Sequence, residues 1–234
     1  MQKDVIIALD FENAKITLDF LSQFVDKKPF VKIGMELFYS EGNAIVQKLK
    51  AQGFKIFLDL KLHDIPNTVK KAMTSLSKLD VDMVNVHSAG GIDMMREAKI
   101  GLTHPDGSRP LLIAVTQLTS TSAAMLKNEL LIDKNINDTI VHYAQNTLAA
   151  GLDGVVCSPL ETEIIKQSCG KNFLTITPGI RLENSGKDDQ VRITTPATAA
   201  KLGSDFIVVG RPITQAENPV AIYEKCLNDF KLCL

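Results

Sequence analysis

Short runs of β-branched and other apolar residues recur along the chain at Val5–Leu9, Phe30–Ile33, Lys55–Leu60, Met83–Val86, Leu111–Val115, Gly154–Cys157, Leu174–Thr177 and Phe206–Val209. Each is four to six residues long and nearly continuous in its apolar character. That is the pattern of a strand covered on both faces in a parallel sheet, rather than the alternation of a strand with one wet face. Between the runs the apolar spacing becomes helical, as in Glu41–Gln52 with Ala44, Ile45 and Leu49, and in Thr68–Leu79 with Val69, Ala72, Met73 and Leu76. The strand starts follow one another at intervals of about 20 to 43 residues, near the length of one βαβ step.

Eight such units predict an α/β fold of one kind, a closed parallel (β/α)₈ barrel forming a single domain over 1–234. The competing doubly wound sheet needs a glycine-rich turn after its first strand, and Asp10-Phe11-Glu12-Asn13 stands there instead. No Pro/Gly/Ser-rich linker divides the chain. The two longest intervals read as loop insertions, Thr116–Asn135 after the fifth strand and Arg181–Thr195 after the seventh, the latter polar enough to be a lid candidate.

Charge and composition narrow the partners. The 234 residues carry 26 basic and 27 acidic side chains, a net charge of −1, so no broad positive field is available for nucleic acid or an anionic membrane. The apolar runs fall far short of the roughly 20 residues of a membrane span, and Met1-Gln2-Lys3-Asp4 lacks a signal-peptide layout. Cys157, Cys169, Cys226 and Cys233 lack metal-ligand spacing, and idle thiols in a reducing cytoplasm are the expectation.

In a barrel the chemistry sits at the carboxyl ends of the strands. The first run ends in Asp10, the second carries Lys32, the third continues through Asp59, Lys61 and Asp64, and the fourth ends in His87. Asp59 and Lys61 are two apart, so on an extended strand both face the barrel interior while Leu60 and Leu62 face the helices. With Lys32 and Asp64 they form an alternating Lys-Asp-Lys-Asp set. Such a set is either a salt-bridge plug or a catalytic array; in both cases the lysines stay protonated and the aspartates ionised. A lysine held as an ammonium donates a proton and is not a Schiff-base nucleophile.

The seventh and eighth runs end in Pro178-Gly179-Ile180-Arg181 and Gly210-Arg211, where barrels commonly build a phosphate site. Each Gly-Arg pair alone is equally a turn with a solvated arginine; together they point to a phosphorylated ligand. His63, His104 and His142 read as surface or loop groups, His87 is open between site and core, and Met94-Met95 reads as helix packing.

These residues carry a resemblance. Ile7-Ala8-Leu9-Asp10, Val31-Lys32-Ile33-Gly34, Asp59 through Thr68 (Asp-Leu-Lys-Leu-His-Asp-Ile-Pro-Asn-Thr), Leu118-Thr119-Ser120, Thr177 through Arg181 and Val209 through Ile213 closely resemble the bacterial orotidine 5′-phosphate decarboxylase family, from the first strand to the eighth. The resemblance implies conversion of orotidine 5′-phosphate to UMP and CO₂ without metal or cofactor, the last step of de novo pyrimidine synthesis. It implies that Lys61 protonates C6, that Asp59 lies near the substrate carboxylate, and that Lys32 holds the network. It also implies a homodimer in which Asp64 and Thr68 reach the partner's site, and it counts Ile65 among the substrate-binding residues. Asp10 and Lys32 would meet ribose hydroxyls and Thr119 or Ser120 the pyrimidine edge. Pro178, Arg181, Gln190, Gly210 and Arg211 would line the phosphate side.

Two other readings compete. A metal-dependent phosphosugar lyase shares the Asp-x-Lys-x-x-Asp strand but needs a carboxylate on the second strand, where this chain has Lys32. A non-catalytic binding protein on the same scaffold has no evident need of the alternating charges.

Overall fold

In the computed structural model the described residues are 3–25, 27–182 and 194–231. Among them, eight strands close a barrel in sequence order, each paired in parallel with its neighbours and the last with the first. They are β1 (Asp4–Ala8), β2 (Phe30–Ile33), β3 (Ile56–Leu62), β4 (Met83–His87), β5 (Leu111–Val115), β6 (Gly154–Val156), β7 (Leu174–Thr177) and β8 (Phe206–Val209). The outer layer is formed by α1 (Ala14–Leu21), α2 (Met35–Glu41), α3 (Asn43–Ala51), α4 (Pro66–Leu76), α5 (Gly91–Leu102), α6 (Ala123–Asn128), α7 (Ile136–Ala149), α8 (Thr162–Cys169), α9 (Pro196–Lys201), α10 (Arg211–Thr214) and α11 (Pro219–Lys231).

The runs read from the sequence coincide with these strands to within two residues at either end. Two connections differ from the reading. The helical pattern over Glu41–Gln52 is α3, and α2, which the reading did not include, precedes it across Gly42, whose φ of +61° only glycine tolerates cheaply. The segment Thr116–Asn135 is not a plain loop, because Ser122 caps α6 by accepting the Met125 N–H. Most of Arg181–Thr195, including Gln190, lies outside the described residues; its ends are joined by Arg181 N–H donating to Thr194 O at 2.9 Å and Thr194 N–H to Gly179 O at 3.0 Å.

Strand parity divides the core. Ile6, Phe30, Phe57, Met83, Ile113, Leu174 and Phe206 fill the barrel interior, while their chain neighbours Val5, Val31, Ile56, Leu58, Val84 and Ile207 pack outward on the helices. At the amino ends of alternate strands a carboxylate from the next strand's approach closes the ladder. Asp82 accepts the Ile56 N–H, Asp153 the Leu112 N–H, and Asp205 the Thr175 N–H, at 2.8, 2.7 and 2.8 Å. Lys50, Arg109 and Lys166 respectively neutralise them. The stable end of the barrel is thus tied by charge-assisted bonds, leaving the opposite end for ligand.

Candidate active site

Moving along each strand toward its carboxyl end, the inward side chains change from apolar to polar. Ile6 and Ala8 lead to Asp10, Phe30 to Lys32, Phe57 to Asp59 and Lys61, and Met83 to Asn85 and His87. Ala8 pairs with Lys32, and Lys32 with Phe57, so Lys32 starts one inward position below Asp10 and Asp59 and its long side chain rises to meet them. There Lys32 Nζ donates to Asp10 Oδ1 at 2.9 Å and lies 3.3 Å from Asp59 Oδ2, while Lys61 Nζ donates to Asp59 Oδ1 at 2.7 Å. The order within one chain is therefore Asp10, Lys32, Asp59, Lys61.

Asp10 extends the row at its Lys32 end, and within one chain Asp64 is exposed, its Oδ1 accepting the Ile65 N–H at 2.6 Å. Ile65 and Thr68 are exposed beside it on the rim.

Burial and pairing oppose one another at the centre. Lys32 and Asp59 are each only 8% exposed. Burial alone pulls the Lys32 pKa down, but the charges of Asp59 and Asp10 and their hydrogen bonds outweigh it and hold the ammonium above the usual lysine value. Burial pushes Asp59 up, yet Lys32, Lys61 and the hydrogen bonds from Lys61 and Asn85 bring it below the usual carboxylate value. His87 is half-buried, and its pKa is lowered by burial first, then by His63 and Lys61; the two imidazoles lie 5.8 Å apart.

The two-residue spacing of Asp59 and Lys61 is only part of why they meet. Leu58 pairs with Val84 and Leu62 with Val86, so three residues of β3 stand opposite Asn85 alone. This bulge places Lys61 at φ +53°, a left-handed conformation that costs a non-glycine residue about 1–2 kcal/mol. Asn85, fully buried, was missed in the sequence; the signal was a polar residue at an inward position within an otherwise apolar run.

The charged row borders two cavities that share Lys32, Pro178 and Val208. One, of about 240 Å³, lies over Asp59 and Lys61 and is closed by Val115, Val156 and Cys157, with Gln117, Thr119 and Ser120 at its edge. The other, of about 460 Å³, is lined by Asp10, Gly179, Arg181, Gly210 and Arg211, with Gln215, which the sequence did not suggest. The predicted base and phosphate sides are thereby adjacent, and both Thr119 and Ser120 face the first cavity. Arg181 is buried with Nη1 donating to Ile180 O at 2.9 Å, whereas Arg211 is exposed. Together the cavities have the size of a small-molecule site, about 300–1,000 Å³.

Elsewhere, Cys157, Cys169 and Cys226 form no disulfide among the described residues, and burial holds Cys226 up at about 11. Met94 and Met95 are buried in the helix layer, as read. Among the described residues no group of three or more His, Cys, Asp or Glu side chains is placed to hold a metal ion, and no helix is long and apolar enough to cross a membrane.

Fold and cleft together define a (β/α)₈ barrel with a charged site at the carboxyl ends of its strands, the arrangement on which barrel enzymes are built. Residues 3–226 match the model of the orotidine 5′-phosphate decarboxylase / HUMPS family. The chain is 55% identical over 234 residues to an orotidine 5′-phosphate decarboxylase of Geobacillus sp. (strain WCH70), covering 99% of this chain and 98% of that one. It is 56% identical over 227 residues to that of Bacillus cytotoxicus, covering 96% and 95% of the two chains. Among solved structures, the orotidine 5′-phosphate decarboxylase of Lactobacillus acidophilus superposes with a TM-score of 0.88 at 43% identity, covering 98% and 99% of the chains. The chain belongs to the orotidine 5′-phosphate decarboxylase / HUMPS family and is an enzyme of the carboxy-lyase class.

Proposed function

We propose that the chain converts orotidine 5′-phosphate to UMP and CO₂ in pyrimidine synthesis, with Lys61 as proton donor and without metal or cofactor. The observation that carries this reading is the row Asp10, Lys32, Asp59, Lys61, buried at Lys32 and Asp59 and ending at an ammonium 2.7 Å from Asp59 beside a cavity walled by Phe57, Val115 and Val156.

The pyrimidine occupies the apolar cavity with its carboxylate toward Asp59. The C6–carboxylate bond breaks, CO₂ departs, and the electron pair stays on C6. The Lys61 ammonium offsets that charge as it develops and then gives its proton to C6, regaining one from water. Asp59, kept ionised by its partners, repels the substrate carboxylate, a repulsion relieved as neutral CO₂ forms. Lys32 holds Asp59 and Asp10 in place, and Asp10 and Lys32 face the ribose. Gly179, Arg181, Gly210 and Arg211 take the phosphate, whose remote binding energy orients the reacting end. Lys32 stands between two carboxylates where a metal-dependent lyase would need a cation site, which favours metal-free chemistry.

The functional unit is a homodimer. Asp64, Ile65 and Thr68 support this, since they are exposed on the rim next to Lys61 and Ile65 presents an apolar side chain to solvent. Cysteines that form no disulfide among the described residues fit a cytoplasmic setting. Adding a catalytic amount of purified chain to orotidine 5′-phosphate should abolish the orotate-type absorbance, equally with and without EDTA. No loss of absorbance at any protein concentration contradicts the reading, and loss of activity on chelation contradicts its metal-free form.

A further inference from the structure

We propose that Asn85 is a positioning residue of the reaction, the side chain that holds Lys61 in its left-handed backbone conformation and aims its ammonium; this rests on the decarboxylase reading above. Asn85 makes two bonds of opposite sense. Its Oδ1 accepts the Lys61 backbone N–H at 2.8 Å, and its Nδ2 donates to Asp59 Oδ1 at 2.7 Å. A backbone N–H only donates and an ionised carboxylate only accepts, so these partners fix the orientation of the amide. The same Asp59 oxygen accepts from Lys61 Nζ at 2.7 Å. A closed circuit results, running from the Lys61 backbone through Asn85 and Asp59 to the Lys61 side chain.

The bulge explains why such a residue is needed. With three residues of β3 opposite one of β4, the ladder partner of the Lys61 N–H is lost, and a buried donor left unpaired would be costly. Asn85 supplies that acceptor from within the barrel. It stands at the single β4 position facing the bulge, so the backbone geometry of Lys61 and the place of the Asp59 carboxylate depend on one side chain. Leucine has nearly the same size and supplies neither bond. Aspartate keeps the acceptor for the Lys61 N–H but sets a second carboxyl against Asp59.

The charged groups around Asp59 are Lys61 on β3, Lys32 on β2 with Asp10 behind it, and His87 on β4. In Asn85→Asp the new carboxyl, when protonated, donates to Asp59 as Nδ2 does; when ionised, it repels it. The kcat of Asn85→Asp relative to wild type should therefore fall at least about tenfold from pH 5 to pH 9, a decline no loss of packing would produce. Asn85→Leu should lower kcat about 100-fold, the scale of a small misplacement of a reacting group, with KM within about threefold because the phosphate side is untouched. A pH-independent ratio for Asn85→Asp, or wild-type kcat in folded Asn85→Leu, overturns the assignment; if Asn85→Leu does not fold, Asn85→Asp decides alone. A wild-type chain that leaves the substrate intact overturns the proposed function and not this contact. The contact is then read from the ¹³C titration of the Asp59 carboxyl, which should move up in pH in Asn85→Leu and overturns the assignment if unmoved.

Discussion

Asp59 and Lys61 lie two residues apart on β3, and their side chains meet at 2.7 Å although the backbone of Lys61 has left the extended conformation. The bulge turns Lys61 back over the strand, so carboxylate and ammonium converge on one side of the apolar cavity. The same bonds hold the strand and fix the place of the Lys61 ammonium.

The row of charges gives the fold a defined response to pH. Asp59 titrates below its unfolded value of 3.8, so its contribution is complete above that value and disappears as pH falls through the folded one. Lys32 titrates above 10.5, so its contribution is present below that value and disappears as pH rises through the folded one. Denaturant midpoints measured from pH 2.5 to 6 should fall more steeply on acidification for wild type than for Asp59→Asn. Parallel curves would show that Asp59 is not held ionised by its neighbours.

His87 should titrate below its ordinary 6.5 in ¹H–¹⁵N spectra, because protonating it means charging a half-buried ring beside His63 and Lys61. Removing one of those neighbours by His63→Ala should move the His87 pKa upward. An unchanged value would leave burial and Lys61 as the causes.

Gly34 gives the row its room. A Cβ at this position would sit 3.0 Å from Lys32 Nζ and 3.2 Å from Asp10 Oδ1, while its φ of −89° poses no obstacle to alanine. Gly34→Ala should therefore leave the melting temperature nearly unchanged and lower kcat/KM by roughly 10- to 100-fold, as Lys32 and Asp10 are pushed apart. Loss of folding with normal kcat/KM in the remaining native fraction would contradict this.

Gly101 has the opposite character. Its Cβ would lie 2.1 Å from the Lys70 carbonyl oxygen, where α5 packs against α4 in the outer layer. Forcing these backbones apart should cost about 1–3 kcal/mol, read as a lower denaturant midpoint. The kcat of Gly101→Ala should stay within about twofold of wild type, and a large fall would tie the helix pair to catalysis.

The barrel was legible because strands buried on both faces leave near-continuous apolar runs, and few other folds repeat eight of them with helices between. The polar ends of those runs located Asp10, Lys32, Asp59 and Lys61 for the same reason: charge at the end of a buried strand demands a partner or a ligand. Period-two reasoning failed where the backbone is irregular. It says nothing of contacts between strands, and closure of β1 against β2 brings Asp10 to Lys32. It passed over Asn85 because a neutral amide between Val84 and Val86 leaves no charge signal, and its role depends on a bulge on the neighbouring strand. Gln215 follows α10 at the far end of the chain, and only closure of β8 on β1 carries it to the cleft.

The most direct test of the account is the single-turnover rate of Lys61→Ala on orotidine 5′-phosphate, compared with wild type at equal occupancy. Loss of the proton donor and of its charge at C6 should slow UMP formation by at least about 10³-fold while the folded variant still binds the substrate through its phosphate side. A Lys61→Ala chain that forms UMP within tenfold of the wild-type rate would contradict the central claim.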